Sequence, residues 1–451
     1  MSADKFEIDR QTLNDLDVFP DDNNEYSVIR LFSSTSTFGG HDKLVKLFGA
    51  PLTDADEVKK RVNAIKYLSE TDAGVKIDKR LCDYVEFYLN RPAKPTTVSK
   101  IKAIEKKAMF FFTGDNDFYI INKGINDTLS LLKWLTEFTE SLDVNISPAL
   151  LQEFALTVRD TMSGADFVFA SGLFKKTTLS AIDIAKADYL FRQVGYKRLK
   201  MLLNLVYELD VFISVGRAGR SLGFTFPVIN RTNNGQSLKL SGLFHPFIEN
   251  PVKNDIEFNH QKNICFVTGA NMAGKSTFLK SVGICVFLSQ IGFPVPAAYM
   301  ETSIFDGLIT TINLVDNLQM GNSHFFTEVA RVKHVAQKMT QSQNMLVIFD
   351  ELFRGTNVKD AFDASLAIIS AFSKLKKGFF IISTHIVEVA NELAAIENIN
   401  FRFMETRFEN ELPTYSYQLQ HGITEERLGF WIVKNEGIVE IIEGILNNER
   451  K

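Results

Sequence analysis

The sequence predicts a two-part chain, an all-helical first half followed by an α/β half built on a mainly parallel sheet. Three observations carry this. Apolar residues recur at helical spacing through the first half. A polar, Asn-rich segment, Asn230-Arg231-Thr232-Asn233-Asn234-Gly235-Gln236-Ser237, interrupts the pattern. Beyond it, short apolar runs alternate with helical stretches, the pattern of strands covered on both faces. The boundary is placed so that 1–235 form a helical domain and 236–451 an α/β domain.

The elements follow in order. Asp54 to Leu68 places Val58, Val62, Ile65 and Leu68 on one helical face, with Thr53 as the expected cap and Asp56 and Glu57 in the first turn. Thr128 to Leu142 and Lys197 to Ile213 repeat that spacing, the latter through Leu199, Leu202, Leu203, Val206 and Leu209 toward Gly216. After the break, Asn263 to Val267 reads as a strand and Gly274 to Gln290 as a helix. Asn344 to Phe349 and Phe379 to Ser383 read as buried strands, and Lys359 to Leu375 and Val387 to Ile396 as helices. Asn400 to Phe408 and Thr414 to Leu419 read as a hairpin at the sheet edge.

Composition narrows the class. The 451 residues are 45% hydrophobic and 23% charged, so whole-chain disorder and coiled coil are excluded. Phenylalanine (39) far exceeds Trp (2) and Tyr (11), which implies an aromatic-filled core. The net charge of −4 gives no global attraction to phosphate, so any nucleic-acid contact has to be local. The basic clusters are Lys100, Lys102, Lys106 and Lys107, then Lys175-Lys176, then Lys197-Arg198 with Lys200. They read first as solvated helix faces. Cys82, Cys265 and Cys285 form neither a disulfide framework nor a zinc pattern, and the first residues are charged. Both point to a reducing, cytoplasmic setting with no membrane partner.

The chemistry concentrates in the second half. Gly269-Ala270-Asn271-Met272-Ala273-Gly274-Lys275-Ser276 fits the phosphate-binding G-x-x-x-x-G-K-[ST] pattern between a strand and a helix. Its glycines let backbone N–H groups close around phosphate oxygens at a helix N-terminus. Lys275 reaches the β- and γ-phosphates, and the Ser276 hydroxyl can ligate Mg²⁺. Met345 to Phe349 ends in Asp350 and Glu351, where Asp350 would hold the Mg²⁺ and Glu351 would polarise the attacking water. Ser383-Thr384-His385 ends the next strand, so Lys275, Asp350 and His385 gather on one sheet edge, with His385 available to the γ-phosphate or the water. Gly321-Asn322-Ser323-His324-Phe325-Phe326-Thr327-Glu328 reads locally as a turn and helix cap, with nothing that makes Ser323 catalytic.

These motifs together resemble the MutS family of DNA mismatch-repair ATPases. The segment from Thr268 to Thr277 is similar to that family's P-loop, including Asn271-Met272; Ala270 and Ala273 depart mildly. Asp350 to Asn357, Gly321 to Glu328 and Ser383 to His385 resemble its Walker B, signature and His-loop segments. The resemblance implies an ABC-type ATPase using ATP and Mg²⁺ that forms a homodimer through its ATPase domains, with Ser323 acting in trans on the partner's nucleotide. It also implies an adenine sandwich, with Phe247 from Pro246 to Pro251 on one face and Tyr417 from Tyr415 to Gly422 on the other. In the first half, Phe6 to Leu13, Thr37 to Gly40, Ala50 to Asp54, Arg61 to Leu68 and Tyr207 to Ser214 resemble the family's core and lever. The chain thus reads as a short form that starts at the core domain, without the mismatch-recognition and connector domains. The implied function is ATP hydrolysis coupled to a DNA-facing helical domain in mismatch repair. The alternatives are a nucleotide-switched reader of DNA shape outside mismatch repair, or a protein scaffold without DNA contact.

Overall fold

The computed structural model describes residues 5–21, 26–71, 76–92, 95, 116–143, 145–230, 235–313, 324–409, 412–424 and 435–449. They divide into two compact units, a helical one of Ile29–Ala50 and Lys59–Ser221 and an α/β one of Met1–Val28, Pro51–Val58 and Leu222–Lys451. Among the described residues the α-helices of the first half are α1 (Arg10–Asp15), α2 (Phe38–Phe48), α3 (Ala55–Glu70), α4 (Lys79–Leu89), α5 (Asn116–Ser141), α6 (Ala149–Ser163), α7 (Ala165–Leu173), α8 (Ala181–Tyr189) and α9 (Tyr196–Ser221).

In the helical unit, α5 starts at Asn116, ahead of the expected Thr128, because Phe118, Ile121 and Ile125 extend its buried stripe. Helix α9 runs past Gly216 to Ser221. The cap of α3 is Asp54 and not the expected Thr53: its Oδ1 accepts the N–H groups of Asp56 and Glu57 at 2.8 and 2.9 Å. Asp210 on α9 is 2% exposed and accepts the N–H groups of Ser36 and Thr37 and the Thr37 hydroxyl. Thr37 in turn caps α2 through the N–H of Gly40 at 2.9 Å. A π-helical turn, Leu190–Val194, follows α8 and carries Arg192, whose Nε donates to buried Asp188 at 2.8 Å. Of the basic clusters, Lys100, Lys102, Lys106 and Lys107 lie outside the described residues. Lys176, Arg198 and Lys200 are ion-paired with Asp183, Asp166 and Glu86.

The α/β unit holds two sheets. Strands β1 (Val228–Asn230), β2 (Leu238–Leu243), β3 (Asn254–Phe258) and β5 (Tyr299–Ser303) form one, in the order β1-β5-β2-β3. Its β1–β5 pair is parallel and the others antiparallel. The larger sheet contains β4 (Ile264–Thr268), β6 (Gly307–Thr311), β7 (Met345–Phe349), β8 (Phe379–Ser383), β9 (Ile399–Glu409) and β10 (Leu412–His421), in the order β10-β9-β4-β8-β7-β6. Strands β9, β4, β8, β7 and β6 run parallel, and β10 closes the edge as an antiparallel hairpin arm. The strand content is therefore mixed, with four parallel pairs in the second sheet and the one β1–β5 pair in the first. Helices α10 (Lys275–Gln290), α11 (His324–Met339), α12 (Val358–Phe372) and α13 (Val387–Leu393) connect its strands, and α14 (Ile438–Glu449) follows them.

Strands β4, β6, β7 and β8 are buried at every position, as two-face-covered parallel strands must be. Phenylalanines fill the layer against them: Phe372 stacks on Phe380 with centroids 4.8 Å apart, and Phe258 on Phe379 at 5.1 Å. The free edge of β6 is covered by the start of the chain. Glu7 bridges Gly307, with Glu7 N–H donating to Asp306 O and Leu308 N–H to Glu7 O, both at 2.9 Å. Asp15, 1% exposed, accepts from the Thr310 hydroxyl and from the N–H groups of Ile312 and Asn313. Among the described residues no helix is long and apolar enough to cross a membrane.

Candidate active site

The carboxyl ends of β4, β7 and β8 lie side by side, which brings loop 269–274, Asp350-Glu351 and Ser383-Thr384-His385 to one sheet edge. The loop turns through left-handed backbone at Gly269 (φ 143°), Met272 (φ 70°) and Gly274 (φ 97°). A Cβ at Gly274 would stand 3.1 Å from Cδ1 of Tyr417, so glycine is needed there for both backbone and space. Asn271 and Met272 are exposed at the crest of the loop. Helix α10 begins directly after Gly274, so its unbonded first-turn N–H groups, including that of Thr277, sit at the mouth of the loop. Lys275 is 5% exposed and donates to the carbonyls of Gly269 and Ala270 at 2.8 and 3.0 Å. Burial pushes its pKa down, and the charges of Glu351 and Asp350 oppose that only in part.

Both oxygens of Asp350 are engaged: the Ser276 hydroxyl donates to Oδ2 and the Ser383 hydroxyl to Oδ1. Ser383 also accepts the N–H of Glu351 at 3.0 Å, so one buried hydroxyl ties the two carboxylate residues to the end of β8. Sequence reading passed over Ser383 in favour of His385; the available signal was a serine closing an otherwise apolar strand. Glu351 and Phe353 take left-handed backbone, φ 52° and 62°, which costs non-glycine residues about 1–2 kcal/mol each. Arg354 Nη1 lies 3.4 Å from Glu351 Oε2. His385 is exposed at the end of β8.

A cavity of about 570 Å³ opens over the loop. Its lining includes Asn271, Met272, Gly274, Lys275, Ser276, Thr277 and Glu351 together with Phe244, His245, Ile248, Val252 and Tyr417. Tyr417 reaches it from a bulge in β10, where the register slips between Tyr415 and Leu419 and φ of Tyr417 is 56°. Asn254 holds that bulge, its Nδ2 donating to Tyr417 O at 3.0 Å and its Oδ1 accepting from Leu419 N–H at 2.7 Å. Phe247 is half-buried, with its ring 5.9 Å from that of Tyr26 and 5.8 Å from that of His245. His245 accepts the Phe247 N–H at Nδ1, 3.4 Å, and burial, assisted by the charge of Lys280 and opposed by Asp17, pushes its pKa down to about 4. The imidazole facing the cavity is therefore neutral at neutral pH. Asn254 and His245 were not anticipated from sequence; neither belongs to a periodic pattern.

Ser323 lies outside the described residues, which resume at His324, the first residue of α11. Among the described residues no group of three or more His, Cys, Asp or Glu is clustered for a metal. The donors at the strand edge are instead the Ser276 hydroxyl and the Asp350 carboxylate, already in contact. That set suits Mg²⁺, which takes few protein oxygens and fills its octahedron with water and phosphate.

Comparison with known proteins agrees with the motifs. The family model described as MutS domain V matches residues 265–448. The chain is 24% identical to the DNA mismatch repair protein MutS of Petrotoga mobilis, over 97% of this chain and 64% of that protein. It is 28% identical to MutS of Lactococcus lactis subsp. cremoris, over 65% of this chain and 33% of that protein. It is 29% identical to the DNA mismatch repair protein MSH3 of Vanderwaltozyma polyspora, over 56% of this chain and 25% of that protein. The chain spans less than two thirds of the length of each of these relatives.

Proposed function

We propose that this chain, a relative of the MutS proteins that carries their domain V over residues 265–448, is a Mg²⁺-dependent ATPase of the P-loop, ABC-like kind acting in DNA repair. The observation that carries the reading is the hydrogen-bonded set Ser276–Asp350–Ser383 beneath loop 269–274, with Glu351 facing the same cavity. A triphosphate would lie along the loop and the first turn of α10, where Gly269, Gly274, Lys275, Ser276 and Thr277 supply N–H groups. Lys275 would exchange its two loop carbonyls for phosphate oxygens. The Ser276 hydroxyl and Asp350 would hold Mg²⁺, which supplies charge neutralisation between the β- and γ-phosphates. Glu351, placed by the Ser383 bond to its N–H, would take the proton of the attacking water. His385 would hydrogen-bond the γ-phosphate from the neighbouring strand end. The base would stack on Tyr417, with Phe247 behind His245 rather than on the ring's other face.

The same reading makes the active form a homodimer with Ser323 acting in trans, and makes DNA the partner of the helical unit. Three buried free cysteines suit a cytoplasmic protein. The test is ATP hydrolysis by Lys275→Met and Glu351→Gln. Glu351→Gln is expected to bind ATP and hydrolyse it about 10²-fold more slowly. Lys275→Met is expected to lose both. Full-rate hydrolysis by either variant refutes the reading.

A further inference from the structure

Glu351 sits on a turn whose successive N–H groups are each held from outside the turn. Asp350 N–H donates to Thr311 O at 2.9 Å, Glu351 N–H to the Ser383 hydroxyl at 3.0 Å, and Leu352 N–H to Ser383 O at 3.3 Å. These three partners belong to β6 and β8 and stand in place before any nucleotide arrives. The far end of the turn is held differently. Gly355 N–H donates to Glu328 Oε2 at 3.3 Å, and Glu328 lies one helical turn into α11. Glu328 is only 8% exposed, an unusual setting for a carboxylate on a surface helix. The contact is close-packed on both sides. The Phe325 ring meets the Phe353 ring edge-on at 5.6 Å. A Cβ on Gly355 would stand 2.5 Å from the His324 Cβ and 2.7 Å from the Phe325 nitrogen, so the backbone of the turn lies directly on the head of α11.

We propose that Glu328 is a positioning residue for Glu351: it clamps turn 353–355 to the head of α11, so that this helix end and the protomer's own water-activating carboxylate move as one body. This rests on the ATPase reading given above. Residues 351 and 353 take left-handed backbone that side-chain-bearing residues leave when released, so the clamp keeps the turn strained and the carboxylate aimed at the cavity. Burial raises the Glu328 pKa, and the N–H groups of Gly355 and Arg354 offset this in part, as expected for a carboxyl that serves as a structural acceptor. A load applied to the head of α11 by a second protomer's nucleotide would then register at this protomer's Glu351.

The test is kcat and KM for ATP, with equilibrium ATP binding, on the full chain. Hydrolysis absent from the wild type would overturn both this inference and its parent. Hydrolysis present in the wild type and lost in Lys275→Met upholds the parent alone. In that setting Glu328→Ala is expected to lower kcat about 10²-fold while ATP affinity stays within about twofold. Glu328→Gln keeps an oxygen facing Gly355 N–H and is expected to recover most of the rate. Gly355→Ala leaves Glu328 intact but pushes the turn off α11, and it should reproduce the loss; it decides the matter if Glu328→Ala does not fold. Wild-type kcat in Gly355→Ala and in any folded Glu328→Ala, or equal losses in kcat and ATP affinity, would overturn the inference.

Discussion

Tyr417 reaches the cavity because Asn254 holds its strand out of regular register with two hydrogen bonds. Removing both with Asn254→Ala should let the bulge relax toward regular pairing and withdraw the ring. Two bonds at about 1 kcal/mol each predict ATP binding weakened by up to about thirtyfold, with kcat at saturating ATP unchanged. Fluorescence titration with a labelled nucleotide, alongside turnover, checks this; unchanged affinity would show that the ring's place does not depend on the bulge. Tyr417 lines the cavity, but from a bulge, so regular strand alternation could not have told which way its ring points. Phe247 was legible as a motif, but its direction was not. It lies in a turn, and a turn has no period from which to decide which of Phe244, Phe247 and Ile248 faces inward. Ser383 stayed hidden for a related reason. Its two bonds exist only once β7 and β8 are neighbours, and adjacency is not written in either strand alone.

Helix α1 shows what short elements do that periodicity cannot reveal. Asp9 caps it through Thr12 N–H at 2.9 Å and also receives the Arg331 guanidinium from α11. Arg331 reaches onward to Thr310 O and the Thr311 hydroxyl, so one side chain joins α1, β6 and α11. Burial works to raise the Asp9 pKa, but the Arg331 and Thr12 hydrogen bonds outweigh it and hold the carboxyl below its ordinary 3.8. A depressed carboxylate contributes stability above its unfolded value and loses it as pH falls through the folded one. Asp9→Asn keeps a capping oxygen but not the charge pair. It should cost about 2 kcal/mol at pH 7, and the gap from wild type should narrow below about pH 4. Denaturant midpoints across pH test this, and a gap independent of pH would refute it. Neither α1 nor β6 could be read beforehand. The helix has six residues, and β6 is a five-residue run, Gly-Leu-Ile-Thr-Thr, with no alternation because both faces are buried. Helices α3, α5 and α9 were legible from a sustained apolar stripe and the strands beside the motifs from a chemical signature, whereas α2, α4 and α6 went unread.

At the scale of the molecule, the chain leaves the α/β unit and returns to it. Residues 1–28 and 51–58 belong to that unit, and 29–50 and 59–221 to the helical one. The Asn-rich break told where composition changes but could not tell that earlier segments pack beyond it. Deleting residues 1–21 should strip the cover from β6, leave the N–H groups of Thr310, Ile312 and Asn313 without their acceptors, and expose a sheet edge. The expected outcome is a lower melting temperature with aggregation, read by scanning calorimetry and light scattering; an unaltered melting profile would count against it. The same cover bears on the order of events at the ribosome. Asp15 and Thr310 are 295 positions apart, so the covering segment is made early and its docking edge late. At about 5–20 residues per second, roughly 15–60 s separate the two. During that interval Asp15 and Thr12 have no strand to bind, and the helical unit completes its sequence, at Ser221, before β6 is made. The α/β unit therefore closes from both directions along the chain: its first residues wait for β6, and β7 to β10 are added only after that edge exists.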